Sequence, residues 1–211
     1  MQLLRTAMMA GLAALVALAA ATPESNAGEV AGKVTRMKGE ASAKRGSTVV
    51  ALAEGAAVEV ADEISTGGDA RLELTLADDT RLTLGANASL VLDTYVYDPE
   101  GGNGSVVLDA VAGAMRFTTG KVGKMNDKKI EVRTTFATLA VRGTDFFAGP
   151  VDKTNGVLLL EGLVEVRTAK GAVVLDTPRN GTTVASSDKR PSKARPWSDA
   201  RIARAIGSVS F

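Results

Sequence analysis

Arg71-Leu72-Glu73-Leu74-Thr75-Leu76, then Ala77-Asp78-Asp79-Thr80, then Arg81-Leu82-Thr83-Leu84, is the stretch whose reading decides the fold. Successive side chains of a strand point to opposite faces, so the leucines line one face and Arg71, Glu73, Thr75, Arg81 and Thr83 the other. The paired aspartates between the two runs favour a turn, because a short carboxylate accepts from nearby backbone N–H groups. The segment predicts a β-hairpin with one buried face.

The same period-two alternation recurs in short bursts at residues 30–37, 41–45, 90–97, 105–111, 130–133, 139–147, 157–160, 163–167 and 172–175. Helix-period stripes are nearly absent between Val30 and Val184. Val157-Leu158-Leu159-Leu160 does not alternate, which predicts a central strand covered on both faces. Leu163-Val164-Glu165-Val166-Arg167 keeps a wet side, and Glu161-Gly162 is expected to be the turn between the two. Residues 98–104 and 120–129 are polar and glycine-containing, and predict exposed loops. Many short strands without crossover helices define an all-β class: a sandwich, a barrel or a β-solenoid. Glycine-led units at Gly32, Gly113, Gly162 and Gly171 recur at irregular spacing, so periodicity alone does not choose among them.

At the N-terminal end, Arg5 precedes an apolar run over residues 7–21, closed by Pro23 and Glu24 and followed by Ser25-Asn26-Ala27. That order predicts a secretory signal, residues 1–27, cut between Ala27 and Gly28. The run is shorter than the ~20 residues a membrane-spanning helix needs. A domain over residues 28–187 and a basic, proline-containing tail over 188–211 are the expected mature parts. The domain carries 18 Lys and Arg against 21 Asp and Glu, whereas the tail carries 6 against 2. The tail's Lys189, Arg190, Lys193, Arg195, Arg201 and Arg204 form either a solvated segment or a weak contact with an anionic membrane surface. Pro191 and Pro196 argue against further sheet there. Ser198-Asp199 before residues 200–206 and Gly207 predicts a short capped helix, with Trp197 packing back onto the domain.

The chain has neither histidine nor cysteine. It therefore lacks the commonest general base, the thiol nucleophile and the commonest transition-metal ligands, and no disulfide staples it. No phosphate-cradling or dinucleotide motif occurs, so no cofactor is expected. Asp98, Glu100 and Asn103 crowd one glycine loop with oxygen ligands, but their spacing is not that of an EF-hand. Aromatic residues make up 4% of the chain and acids outnumber bases in the domain, which leaves no platform for nucleic acid.

One segment departs from generic β sequence: Val132-Arg133-Thr134-Thr135-Phe136-Ala137-Thr138-Leu139-Ala140-Val141-Arg142-Gly143-Thr144-Asp145-Phe146. It resembles the FecR domain family, in which a Thr-rich turn leads into an A-V-R-G-T-x-F strand. Asp62-Glu63-Ile64-Ser65-Thr66-Gly67, the 74–84 hairpin and Leu160-Glu161-Gly162-Leu163-Val164-Glu165-Val166 are similar to other stretches of that family, in the same order. The resemblance runs from about Val30 to Val184. It implies a β-solenoid-like stack of short strands rather than a sandwich. Within it Thr66, Gly67, Arg142, Gly143, Thr144, Phe146, Glu161 and Gly162 are motif residues, expected to serve the scaffold. Gly143 is expected to mark a bulge, Val141 and Phe146 to enter the core, and Arg142 to pair with Asp145 across the turn.

Regulators of the family sit in the inner membrane, carry a cytoplasmic anti-sigma segment, and sense a siderophore transporter with their periplasmic part. Only Met1–Thr6 lie before the apolar run here, so the expectation is a stand-alone module, periplasmic or secreted. It is expected to be non-catalytic and to recognise an envelope protein or glycan through sheet faces and strand edges. Two other readings remain at this stage. One is an enzyme acting on cell-wall or surface polysaccharide through two carboxylates; the other is a structural surface protein.

Overall fold

The computed structural model describes residues 28–211, so the expected export signal over residues 1–27 lies outside the described residues. The chain begins with β1 (Val30–Lys38), the hairpin of β2 (Ala41–Arg45) and β3 (Thr48–Ala51), and the short β4 (Ala57–Glu59) and β5 (Glu63–Thr66). The leucine stretch follows as β6 (Arg71–Leu76) and β7 (Arg81–Leu84), then the long hairpin of β8 (Ser89–Asp98) and β9 (Asn103–Ala112). After β10 (Met115–Thr118) come β11 (Asp127–Thr134), β12 (Thr138–Val151) and β13 (Thr154–Thr168). β14 (Gly171–Leu175), β15 (Asn180–Val184) and the two-residue β16 (Arg195–Pro196) precede a helix, α1 (Asp199–Gly207).

The fold is all-β with a short C-terminal helix, as expected. All the strands join one sheet, in the order β3-β2-β5-β8-β9-β11-β12-β10-β7-β6-β1-β4, with β13 branching from β12 to β14 and β15. The sheet curls into a half-barrel around its leucine face. Its ladders are antiparallel except where β11 lies parallel to β9. In the deciding hairpin Leu72 stands opposite Leu84 and Leu74 opposite Leu82, and Asp79 turns the chain at φ 67°. All four leucines are buried, so the alternation did mark the core face.

Val157–Leu160 lacks alternation because two apolar clusters meet on it. Val157 and Leu159 belong to the main core with Leu74, Leu108, Phe117 and Phe146. Leu158 faces the other way, onto a second cluster with Phe147, Val151, Trp197, Ala205 and Val209. Trp197 reaches that cluster because Gly156 and Gly181 leave room for its ring; a side chain at either would collide with it. Ser198 caps α1, its Oγ accepting from the Arg201 N–H at 3.4 Å.

Three expectations are corrected. Glu161-Gly162 is not a turn: β13 runs through it, and the pair forms a bulge opposite Asp145. Residues 120–129 are not a plain exposed loop. Lys121–Lys124 form a 3-10 turn whose Val122 is fully buried, and Asp127 already starts β11. A lone valine between lysines and glycines gave no periodic signal of burial. The tail also adds to the sheet, since β16 pairs with β15 despite Pro196; this lies at an edge, where a missing N–H is tolerated. Among the described residues no helix is long and apolar enough to cross a membrane.

Candidate functional site

The motif residues of β12 and β13 come together as two facing bulges. Gly143 has φ 57° and Gly162 φ 81°, both in the left-handed region that favours glycine. They differ in surroundings. A Cβ on Gly143 would point into open space, whereas one on Gly162 would penetrate the Gly143 carbonyl oxygen. Thr144 locks the pair: its hydroxyl donates to the Leu163 carbonyl at 2.6 Å and accepts from the N–H groups of Arg142 and Leu163 at 3.2 and 3.3 Å. Phe146 lies wholly in the core, stacked on Phe117 with ring centroids 5.5 Å apart. The Thr-rich turn is closed the same way, Thr134 Oγ1 accepting from the N–H groups of Phe136 and Ala137.

Asp145 does not pair with Arg142. It takes a two-point bond from Arg116 on β10, at 2.9 and 2.6 Å, and that contact holds the guanidinium pKa above its ordinary value. β10 inserts beside β12, a neighbour that the local sequence around residue 142 does not announce. Arg142, Gly143, Glu161 and Gly162 are left on the exposed side of the double bulge. Thr66 and Gly67 stand elsewhere. Thr66 Oγ1 donates to the Gly85 carbonyl and accepts from the Ala88 N–H, while Gly67 bonds the Glu40 and Asn87 backbones. They share no hydrogen-bond partner with the bulge residues.

Two polar clusters escaped the sequence reading. Asp78, fully buried at the hairpin turn, accepts from Thr80 Oγ1 (2.7 Å), the Thr80 N–H (3.2 Å), the Val122 N–H (3.1 Å) and the Tyr95 hydroxyl (3.2 Å). The Tyr95 oxygen in turn accepts from the Asp78 N–H at 2.9 Å. Burial, then the Asp78 charge, raises the Tyr95 pKa above its ordinary value. The second cluster sets Arg45 against Asp62 at 2.8 and 3.1 Å and against Glu59 at 2.8 Å, and the Asp62 bond raises the guanidinium pKa. The Gly28 N–H donates to Glu59 Oε2 at 2.8 Å, which ties the start of the described chain to this cluster. The contact of Asp78 with Thr80 is the local turn bond that the paired aspartates announce, but the Tyr95, Val122 and Arg45 partners come from far along the chain and carry no local signature.

Among the described residues no group of three or more His, Cys, Asp or Glu is placed to hold a metal. In four concavities of the described surface the lining holds at most one carboxylate each. The facing carboxylates that polysaccharide hydrolysis requires are not found in them. A different feature stands out at the end of the sheet path. β3 pairs only with β2, all four of its residues are exposed, and it presents Val49 at 66% and Val50 at 38% exposure.

Fold and site thus define an all-β module with a locked double bulge and an open, apolar sheet edge. Residues 62–165 match the family model described as FecR protein, and the chain belongs to the FecR domain family through that segment. Two crystal structures of a "putative anti-sigma factor" from Parabacteroides distasonis ATCC 8503 share the fold. They align at 21% and 20% identity with TM-scores of 0.51 and 0.52. Each alignment covers 67% of this chain and 62% of the solved one, so this chain spans less than two thirds of their length. No curated protein matches the sequence.

Proposed function

We propose that the chain is a non-catalytic binding and sensory module of the cell envelope, periplasmic or secreted, which recognises a partner protein by accepting one of its strands at β3. The observation that carries this reading is the open edge of β3. An unpaired edge presents a row of backbone N–H and C=O groups, and an extended peptide completes that row. Natural edges are usually protected by charge, proline or a covering loop, whereas this one displays two valines. A glycan offers no matching row of amides, so the edge favours a protein over a glycan partner. Membership of the FecR family and the fold shared with the anti-sigma structures support a regulatory role.

The test places a photo-crosslinking residue at Thr48, the exposed first residue of β3, in the exported protein and maps the adducts by mass spectrometry. The expected result is one envelope protein, joined through an extended segment and lost when Val49 and Val50 are both changed to Lys. Both side chains are exposed, so the double variant should melt where the parent does. Adducts that persist unchanged in the Lys variant, or that contain only a second copy of this chain, would refute the proposal.

A further inference from the structure

Beside β15, β16 and the start of α1 lies a groove of about 460 Å³, lined by Gly181, Thr183, Ser192, Lys193, Arg195, Pro196, Trp197, Ser198 and Arg201. Its lining holds three cations and no carboxylate. Asp152 pairs with Arg204 and also lies 3.6 Å from Arg201 Nε, and Asp199 pairs with Arg179. Lys193 and Arg195, both exposed, have no ion-pair partner among the described residues. Both line the same groove.

Arg201 is held but not saturated. Its guanidinium lies over the Trp197 ring, 4.0 Å from the centroid. Its Nη2 makes only long hydrogen bonds, to Thr183 at 3.3 Å and Thr154 at 3.4 Å, while its buried Nε has no hydrogen-bond partner and lies 3.6 Å from Asp152. The hydroxyls of Thr183 and Ser198 act as acceptors in these contacts, and their protons remain free to donate. Stacking fixes the plane of the guanidinium, so little freedom is lost when an anion binds.

We propose that this groove is a phosphate-binding site, with Arg201 as the fixed fork, Lys193 and Arg195 as the closing cations, and Ser198 and Thr183 as neutral donors. Two unpaired cations and the loosely paired Arg201, set among hydroxyl donors, suit a tetrahedral oxyanion, and the volume admits a phosphate with a small attached group. The phosphate belongs either to a free phosphoester or to the headgroup of an anionic lipid. Neither requires the β3 edge, so this proposal stands or falls apart from the strand-addition reading.

Trp197 is the only tryptophan of the chain, so its emission reports this groove directly. The protein is titrated with inorganic phosphate and with glycerol phosphate, and sodium chloride at matched ionic strength serves as the control. Vesicles of phosphatidylglycerol in phosphatidylcholine, and of phosphatidylcholine alone, supply the lipid arm. The expected result is a saturable change of Trp197 emission with phosphate or with anionic vesicles, absent with chloride and neutral vesicles. Response to the soluble ions identifies a free phosphoester as ligand, and response to anionic vesicles alone identifies a headgroup. Lys193→Glu with Arg195→Glu should weaken binding at least ~10-fold at unchanged melting temperature. Arg201→Lys, which keeps the charge but loses the fork, should weaken it as well. No saturable response in either arm, an equal response to chloride, or undiminished binding by the double variant would overturn the proposal.

Discussion

The facing glycines of the double bulge allow one substitution to be made twice with unequal results. Gly143→Ala places a methyl in open space, and only the left-handed backbone at φ 57° opposes it. That costs about 1 kcal/mol. Gly162→Ala meets the same kind of backbone penalty at φ 81°, but its methyl would also penetrate the Gly143 carbonyl oxygen and lie 2.8 Å from the carbonyl carbon and 2.9 Å from Thr144 Cα. All three are backbone atoms, so β12 and β13 must separate. The hydrogen bonds of the Thr144 hydroxyl to Leu163 would then break, bringing the total to about 4 kcal/mol. For a chain of this size each kcal/mol moves Tm by roughly 3 °C, so drops of about 3 °C and about 12 °C are expected. Thermal melts followed by circular dichroism on both variants decide the matter. Equal shifts, or a larger one for Gly143→Ala, would refute the steric reasoning and turn attention to a ligand role for the exposed bulge.

Other clusters make separate predictions. Asp78→Ala should cost about 3 kcal/mol in urea unfolding, because it strands the buried N–H groups of Thr80 and Val122; Tyr95→Phe should cost about 1 kcal/mol. Arg45→Met should cost about 3 kcal/mol in the same assay, since it leaves Asp62 and Glu59 facing each other without a cation. A pH titration should loosen α1 on acidification. Arg204 holds the Asp152 pKa below its ordinary value, so the contact stabilises fully above the usual carboxylate range and is lost as pH falls through the lowered folded value. Trp197 emission should follow that loss in the parent and stay flat in Asp152→Asn over the same range.

What could be read from the sequence followed locality. The leucine alternation over residues 71–84, the two-sided burial of Val157–Leu160 and the Ser198 cap each depend on neighbours in the chain, and each appears where the pattern put it. Errors arose where a distant strand decides the outcome. Glu161-Gly162 has the composition of a turn, and only Gly143 across the ladder makes it a matched bulge. Asp145 sits near Arg142 in sequence, yet β10 delivers Arg116 to it. Asp78 reads as a solvated turn residue because nothing near it in sequence announces Tyr95 and Val122 as its partners. The β3 edge was legible in principle: Gly46, at φ 58°, opens a tight turn before Thr48-Val49-Val50-Ala51.

The second apolar cluster has a consequence for the route to the native state. Phe147 and Leu158 can pair as soon as β12 and β13 form, but their outer face stays bare until Trp197 and Ala205, much later in the chain, arrive to cover it. Where Trp197 and Ala205 are not docked, the sheet has an uncovered apolar side, and exposed surface of that kind promotes aggregation. A variant that weakens the docking of α1 is therefore expected to lower the yield on refolding while leaving the strand order of the sheet unchanged.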